Sequence, residues 1–523
     1  MVIKVLLLAL FFAITIFIGL YFRKKALNIN DFVLGGRNVG PWISAFSYGA
    51  TYLSAVVFVG YAGQFGWRFG LSAVWIGVGN ALIGSLAAWL ILGRRTRIMT
   101  NHLKSSTMPS FFGSRYSSKA LKIGAAFIVF IFLIPYTASL YNGLSRLIEM
   151  SFGIPFEYCI IAIGVLTAIF VVAGGYIATA VNDFIQGAIQ LIGIIAIVVL
   201  ALNSKGGLFS AIESMSALSD SAAGVSAGGF TSIFGPDPVS LIGVLILTSF
   251  GTWGLPQMVA RYYSIKSEKM IKKGAVVSTF FALFVAGGCY LLGSFGRLWA
   301  GADSLVKDAA GNLIKVGDLS PMKFDEIIPA VLSGMGEVMI GVVVVLVFAA
   351  SISTLSSLVM TSATTLTLDF LKGHVVKNMG EKKQLLIVRA LIVVFIVISS
   401  TIAIMQISGV FKGNLGFIAD LMGVSWGALA GSFLAPFLYG LYWKRASKIS
   451  VWCSFIFSTA VMILNVFFRS AFPSILQSPI NAGAFCMLAG LVIVPVVSAF
   501  TKAPEKELID DCFSNVKKQL KKS

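Results

Sequence analysis

Long apolar runs, separated by short polar or basic connections, occupy most of the chain. They fall near 2–22, 41–67, 69–93, 120–149, 155–176, 178–201, 236–262, 274–298, 328–371, 387–407, 412–442, 449–468 and 479–500. About 18 apolar residues or more mark a spanning helix, because roughly 20 residues at 1.5 Å each cross the hydrocarbon core. The pattern therefore predicts an all-α polytopic membrane protein of about thirteen transmembrane helices. Several runs are long enough to be tilted, broken or continued outside the bilayer.

Composition removes the alternatives. Of 523 residues 57% are hydrophobic and 12% charged, with mean hydropathy +0.91, against about 25% charged in ordinary globular chains. No domain-sized stretch is polar enough for a water-facing shell, which excludes a soluble enzyme, a disordered scaffold and a disulfide-stapled secreted domain. The net charge of +19 is dispersed over short loops, so it lacks the basic face that a nucleic acid needs. Most Lys and Arg residues lie in alternate connections: 23–37, 94–122, 261–273, 372–389, 444–448 and the tail. By the positive-inside rule this predicts an outside N-terminus, a cytoplasmic C-terminus and an odd number of spans. Lys4 before the first run and Arg23-Lys24-Lys25 after it reverse the order of a signal peptide, which predicts a retained helix. Beyond Pro504, residues Leu508, Ile509, Cys512, Phe513, Val516 and Leu520 recur at roughly helical spacing among lysines, as in a helix lying on the inner membrane surface or in a solvated tail. The other cysteines, Cys159, Cys289, Cys453 and Cys486, lie within runs and show neither a disulfide framework nor metal-ligand spacing.

Polar residues inside such runs are costly, so the few present are informative. Asp183 sits in Asn182-Asp183-Phe184-Ile185-Gln186, beyond Gly174-Gly175. Arg146 and Glu149 are three apart and read as an interfacial ion pair; Asp420 lies near the outer edge of its run. Run 328–371 carries the densest signal: Ala350, Ser353, Thr354 and Ser357 share one helix face. Hydroxyls so arranged either pack helices closely or, with carbonyls, supply the oxygen ligands of a hard cation. Two runs are able to unwind: 41–67 at Ser47-Tyr48-Gly49-Ala50-Thr51-Tyr52-Leu53-Ser54, and 236–262 at Gly251-Thr252-Trp253-Gly254-Leu255-Pro256. They open successive sets of five helices, and five is odd, so the second set enters upside down. Interrupted helices at matching places of two inverted halves point to a midplane solute and ion site.

These residues strongly resemble the sodium/solute symporter family. The markers are Phe32-Val33-Leu34-Gly35-Gly36-Arg37, the Asn-Asp-Phe-Ile-Gln stretch, Gly254-Leu255-Pro256-Gln257-Met258-Val259-Ala260-Arg261, Ala350-x-x-Ser353-Thr354, and Gly440-Leu441-Tyr442-Trp443-Lys444-Arg445. The resemblance implies a LeuT-type five-plus-five inverted-repeat core with one helix before it and two after. The organisation expected is an extra helix and loop (1–40), a first repeat (41–203), an outer loop (204–235), a second repeat (236–448), two further helices (449–500) and a basic tail (501–523).

Carried over by position, the resemblance implies a main sodium site of Ala50, Leu53 and Ala350 carbonyls with Ser353 and Thr354 hydroxyls. A second sodium site would use Asp183, Ser353, Ser356 and Ser357, so one or two ions accompany each solute, and no organic cofactor is expected. Tyr52, Ser54, Trp75, Tyr136, Trp253 and Gln257 are the solute-pocket candidates. Among members, pantothenate and proline permeases look most alike, although proline permeases have an acidic residue where Tyr52 stands. Many relatives have a histidine where Gln257 stands, and sialic-acid members place an arginine near Tyr136. The expected activity is sodium-coupled symport of a small carboxylate (pantothenate, a monocarboxylate or proline) by a monomer in the bacterial cytoplasmic membrane. The alternatives are a sugar or other solute carrier of the same fold, or a channel or sensor. An ATP-driven pump would need a Gly-Lys-Ser/Thr phosphate loop, and the chain contains no Gly-Lys pair.

Overall fold

In the computed structural model, residues 2–52, 54, 56–220, 223–299, 305–307, 313–315, 327–328, 337–407 and 418–521 are described. Helix α1 (Val2–Tyr21) is followed by α2 (Pro41–Tyr52), whose helix stops where the polar middle of its run was predicted to unwind. Helical structure resumes as Val56–His102, ending in α3 (Arg94–His102). Then come α4 (Lys119–Phe152), α5 (Phe156–Ser204), α6 (Pro238–Gly254), α7 (Pro256–Ser264), α8 (Ile271–Ser294) and α9 (Glu337–Thr365). The last are α10 (Glu381–Ile407), α11 (Ile418–Tyr442), α12 (Lys448–Phe467), α13 (Pro479–Phe500) and α14 (Lys506–Lys521). A short antiparallel hairpin, β1 (Leu305–Lys307) with β2 (Leu313–Lys315), is the one sheet among the described residues.

Ten helical segments among the described residues are long and apolar enough to cross a bilayer, or eleven if the bent pair α6–α7 is counted. The thirteen predicted runs outnumber these because two segments each carry two runs. Helix α5 has 49 residues, about 74 Å if straight, more than twice the hydrocarbon thickness of roughly 30 Å. It turns at Gly175, whose φ of 59° and ψ of −157° suit glycine alone. A Cβ there would also lie 2.7 Å from the Phe32 ring. The segment Val56–His102 turns likewise at Gly70, with φ 60°, where a Cβ would meet the Phe230 carbonyl oxygen at 2.3 Å.

Burial sorts the helices. The apolar stretches of the segments containing α9 and α11 are 89% and 94% buried, whereas that of the segment containing α1 is 22% buried and offers its apolar side chains outward. Helix α9 packs on α5, α4 and α1, and α11 on α13, α12, α4 and α6. The start of one broken helix lies beside the end of the other, through a parallel bridge: Val39, just before α2, accepts from Lys266 N–H at 2.9 Å and donates its own N–H to Ser264 O, at the end of α7, at 3.1 Å. Arg37 secures this seam by donating to the Ser105 carbonyl at 2.6 Å. Burial and the nearby Arg97 lower its pKa to about 10, still charged at neutral pH.

The tail departs from expectation. Helix α14 is amphipathic as predicted, but it packs against α3, burying Cys512, Phe513 and Val516 on protein. His102 meets Asp511 at 3.0 Å, and the Arg115 guanidinium lies 5.1 Å over the Phe513 ring. The middle of the apolar stripe read as membrane-facing, Cys512, Phe513 and Val516, is thus covered by protein.

Candidate functional site

The hydroxyl face of α9 meets the broken end of α2. Ser353 Oγ donates to the Ala50 carbonyl at 2.8 Å and lies 3.0 Å from the Ala350 carbonyl. Thr354 Oγ1 lies 3.0 Å from the Thr51 carbonyl, 3.1 Å from that of Ala350 and 3.4 Å from that of Ala50. The Ala50 and Thr51 carbonyls face outward because α2 stops, leaving the acceptors of its last turn without intrahelical partners. The cluster is buried and consists of neutral oxygens. Such a set meets the oxygen-ligand requirement of a hard cation, and its lack of formal negative charge suits a monovalent one. Ala50, Ala350, Ser353 and Thr354 are therefore brought together as expected; Leu53 lies outside the described residues.

The second predicted set is differently arranged. Asp183 is fully buried on α5 and accepts from Ser47 Oγ through its Oδ2 atom. The same oxygen accepts from Arg261 Nη2 at 3.0 Å. That nitrogen also donates to Ser357 Oγ at 2.5 Å and Thr51 Oγ1 at 2.8 Å. Ser356 Oγ donates instead to the Ser353 carbonyl within its own helix at 3.0 Å. Asp183 and Ser357 thus belong to one cluster, with Arg261 as its cation, while the Ser353 hydroxyl turns toward Ala50.

Arg261 is the main residue that the sequence reading placed wrongly. It was counted among the basic inner-loop residues but is 2% exposed, on α7, with its guanidinium over the Tyr176 ring at 5.2 Å. A signal was present: Gln257 and Arg261 are four apart on the half-helix after the break, so they share a face.

Of the solute candidates, Ser54 lies beside the Tyr136 hydroxyl, and Tyr136 packs edge-on against Trp426 with centroids 5.9 Å apart. Trp426 was not foreseen; a Cβ on Gly251 would lie 2.6 Å from its ring, so this indole bridges α4 and the broken helix α6. Trp253 donates its Nε1–H to the Ile83 carbonyl at 3.0 Å. The Tyr52 side chain lies outside what is described. Trp75 is not gathered with the others: it is 45% exposed and donates to the Ile233 carbonyl in the 204–235 loop at 2.9 Å. A narrow cleft, lined by Val33, Leu34, Ser106, Thr107, Gln257 and Ser357 among others, reaches Arg261 from the side of the Arg37 seam. Gln257 Oε1 is buried there without a hydrogen-bond partner among the described residues.

Asp420 pairs with Arg469 at 3.0 Å, a partner that explains its charge structurally. The Arg146 side chain is not among those described.

A model of the sodium:solute symporter family matches residues 32–457. The osmoregulated proline transporter OpuE of Bacillus subtilis is 27% identical over 95% of each chain. The sodium/proline symporter of Staphylococcus aureus is 27% identical over 95% of this chain and 93% of its own. Among solved structures, a substrate-bound, outward-open Na+-coupled sialic acid symporter superposes with a TM-score of 0.75 at 17% identity, covering 96% of this chain and 98% of that one. MhsT in complex with L-phenylalanine gives 0.50 at 12% identity, over 88% and 98%. These likenesses establish the LeuT-type helical fold.

Proposed function

The chain belongs to the sodium:solute symporter family, a family of carriers and not of enzymes, and from that membership we propose that its solute is a small carboxylate and that sodium binds between α2 and α9. Sodium-coupled symport of a small organic solute is the activity; the solute class and the ion site are the proposal. The observation that carries the ion site is the convergence of the Ala50 and Ala350 carbonyls with the Ser353 and Thr354 hydroxyls. A sodium ion there would tie α9 to the broken end of α2, so it favours the arrangement in which α2 lines a solute pocket.

Proline is the cargo named for the Bacillus and Staphylococcus relatives, which favours a carboxylate over a sugar. Tyr136, Trp253, Ser54 and Gln257 form the proposed pocket, to which Trp426 is added; an aromatic body with a polar tip suits a partly apolar solute. Trp75 is removed from the pocket and assigned to the outer covering.

We place the N-terminus outside and the C-terminus in the cytoplasm, from the basic connections. In that orientation the cleft beside Ser106 and Leu34 opens inward, and the Trp75–Ile233 bond lies on the covered outer side. Moving one charge down 100 mV supplies about 2.3 kcal/mol, and each tenfold of accumulation costs about 1.4 kcal/mol. One net charge per cycle thus drives more than tenfold accumulation, and a monoanionic solute needs two sodium ions for the cycle to remain electrogenic. The test is a thermal-shift screen of pantothenate, proline and small monocarboxylates with sodium or choline chloride, since a ligand stabilises the state it binds. A carboxylate that stabilises only with sodium supports the proposal; stabilisation by sugars alone contradicts it.

A further inference from the structure

Arg261 pairs with Asp183 in a way that leaves both partially unsatisfied. A structural arginine–carboxylate pair in an interior is commonly bidentate, two parallel N–H bonds to two oxygens. Here a single nitrogen, Nη2, serves Asp183 Oδ2, Ser357 Oγ and Thr51 Oγ1, at 2.5 to 3.0 Å. Arg261 Nε and Asp183 Oδ1 are both buried without a hydrogen-bond partner among the described residues. Three oxygens from α2, α5 and α9 therefore converge on one end of a delocalised cation, while the fork geometry that arginine offers a carboxylate goes unused.

We propose that Arg261 is a tethered cation that holds the place of a coupling ion: sodium entering the Asp183–Ser357 cluster displaces the guanidinium, which returns when sodium leaves. The inference rests on reading this cluster as a second cation site. Its physical basis is the cost of a buried charge. An uncompensated carboxylate in the interior costs several kcal/mol, so an empty carrier with Asp183 alone would be unstable or would retain its sodium. Two cations against one carboxylate are unfavourable for the same reason, so occupancy is exclusive. Displacement also has a destination. Arg261 lines the inner cleft, and one helical turn away on the same face Gln257 presents its unpartnered Oε1, an acceptor for the freed N–H groups. Exchange of one cation for another leaves the cluster's charge constant in the loaded and empty carrier.

The experiment is a sodium titration of the purified full-length protein by thermal unfolding, at constant ionic strength with choline chloride. In Arg261→Gln the half-saturating sodium concentration is expected to fall at least fivefold, because the competitor is gone. Adding Asp183→Asn to that variant is expected to abolish the gain. A purely structural arginine would instead lower the unfolding temperature at every sodium concentration and leave half-saturation where it was, or raise it; either result overturns the proposal. If Arg261→Gln is not recovered folded, Arg261→Lys is titrated. Its charge is retained but reaches the three oxygens less well, so half-saturation is expected to fall at least twofold, and the wild-type value would overturn the proposal. Wild-type protein that shows no sodium-dependent stabilisation would count against the cation-site reading itself and not against the part given to Arg261.

Discussion

Ser353 and Thr354 direct their hydroxyls at carbonyls across the α2–α9 contact, and their removal is the most local test of the ion site. Either Ser353→Ala or Thr354→Ala deletes one neutral oxygen ligand, a loss of about 1–2 kcal/mol, or roughly a tenfold rise in the sodium concentration giving half-maximal uptake. Insertion and expression should be unaffected; unchanged sodium activation in both variants would remove these hydroxyls from the site. Asp183→Asn should likewise weaken sodium activation, and because Arg261 would then lack its carboxylate partner, it should also lower the unfolding temperature. At this scale the hydroxyl face was readable because helical spacing alone aligns Ala350, Ser353, Thr354 and Ser357. Arg261 was not, since a basic residue next to a loop reads as an orientation signal, and only the turn of α7 into the protein shows it to be buried. Thr51 and Ser47 were read only as part of a stretch able to unwind, because a lone hydroxyl has no ligand pattern until Asp183 is placed beside it.

The breaks decide how elements meet. Gly254 ends α6, and a Cβ on it would lie 2.7 Å from Ala430 Cα and 2.8 Å from Leu434 N. These are backbone atoms of α11 that cannot yield by a rotamer change. Gly254→Ala should therefore cost about 1–3 kcal/mol through overpacking, seen as a lowered unfolding temperature together with reduced maximal uptake. A variant with wild-type stability would show that α6 and α11 are less closely held. Both interrupted helices were visible from glycine, proline and polar residues inside apolar runs. The turns at Gly70 and Gly175 were visible only as run boundaries, because hydrogen bonding carries helical structure around them. The tail shows the opposite failure: amphipathic spacing predicts a buried stripe but does not say what buries it. Burial raises the Cys512 thiol pKa despite the opposing effect of the Arg115 charge, which leaves less thiolate at neutral pH and slows alkylation. Phe513→Asp should undock α14 and speed maleimide labelling of Cys512 severalfold; equal rates in the two proteins would place the tail away from α3.

For the molecule as a whole, composition and the distribution of basic residues were enough to give solvent, helical class and a proposed orientation. The inverted arrangement was inferred from an odd count of five, and the seam at Val39 sets the start of α2 beside the end of α7. The cargo was not legible, because a pocket of neutral side chains identifies a solute by shape, which spacing along a chain does not encode. The most direct test of the central claim is uptake of a labelled carboxylate, proline first and pantothenate second, into proteoliposomes with an inward sodium gradient or an equal potassium gradient. The structure predicts saturable, concentrative uptake with sodium, abolished in the Ser353→Ala/Thr354→Ala double variant. Uptake that is equal in potassium, or that rises without saturation, would contradict it.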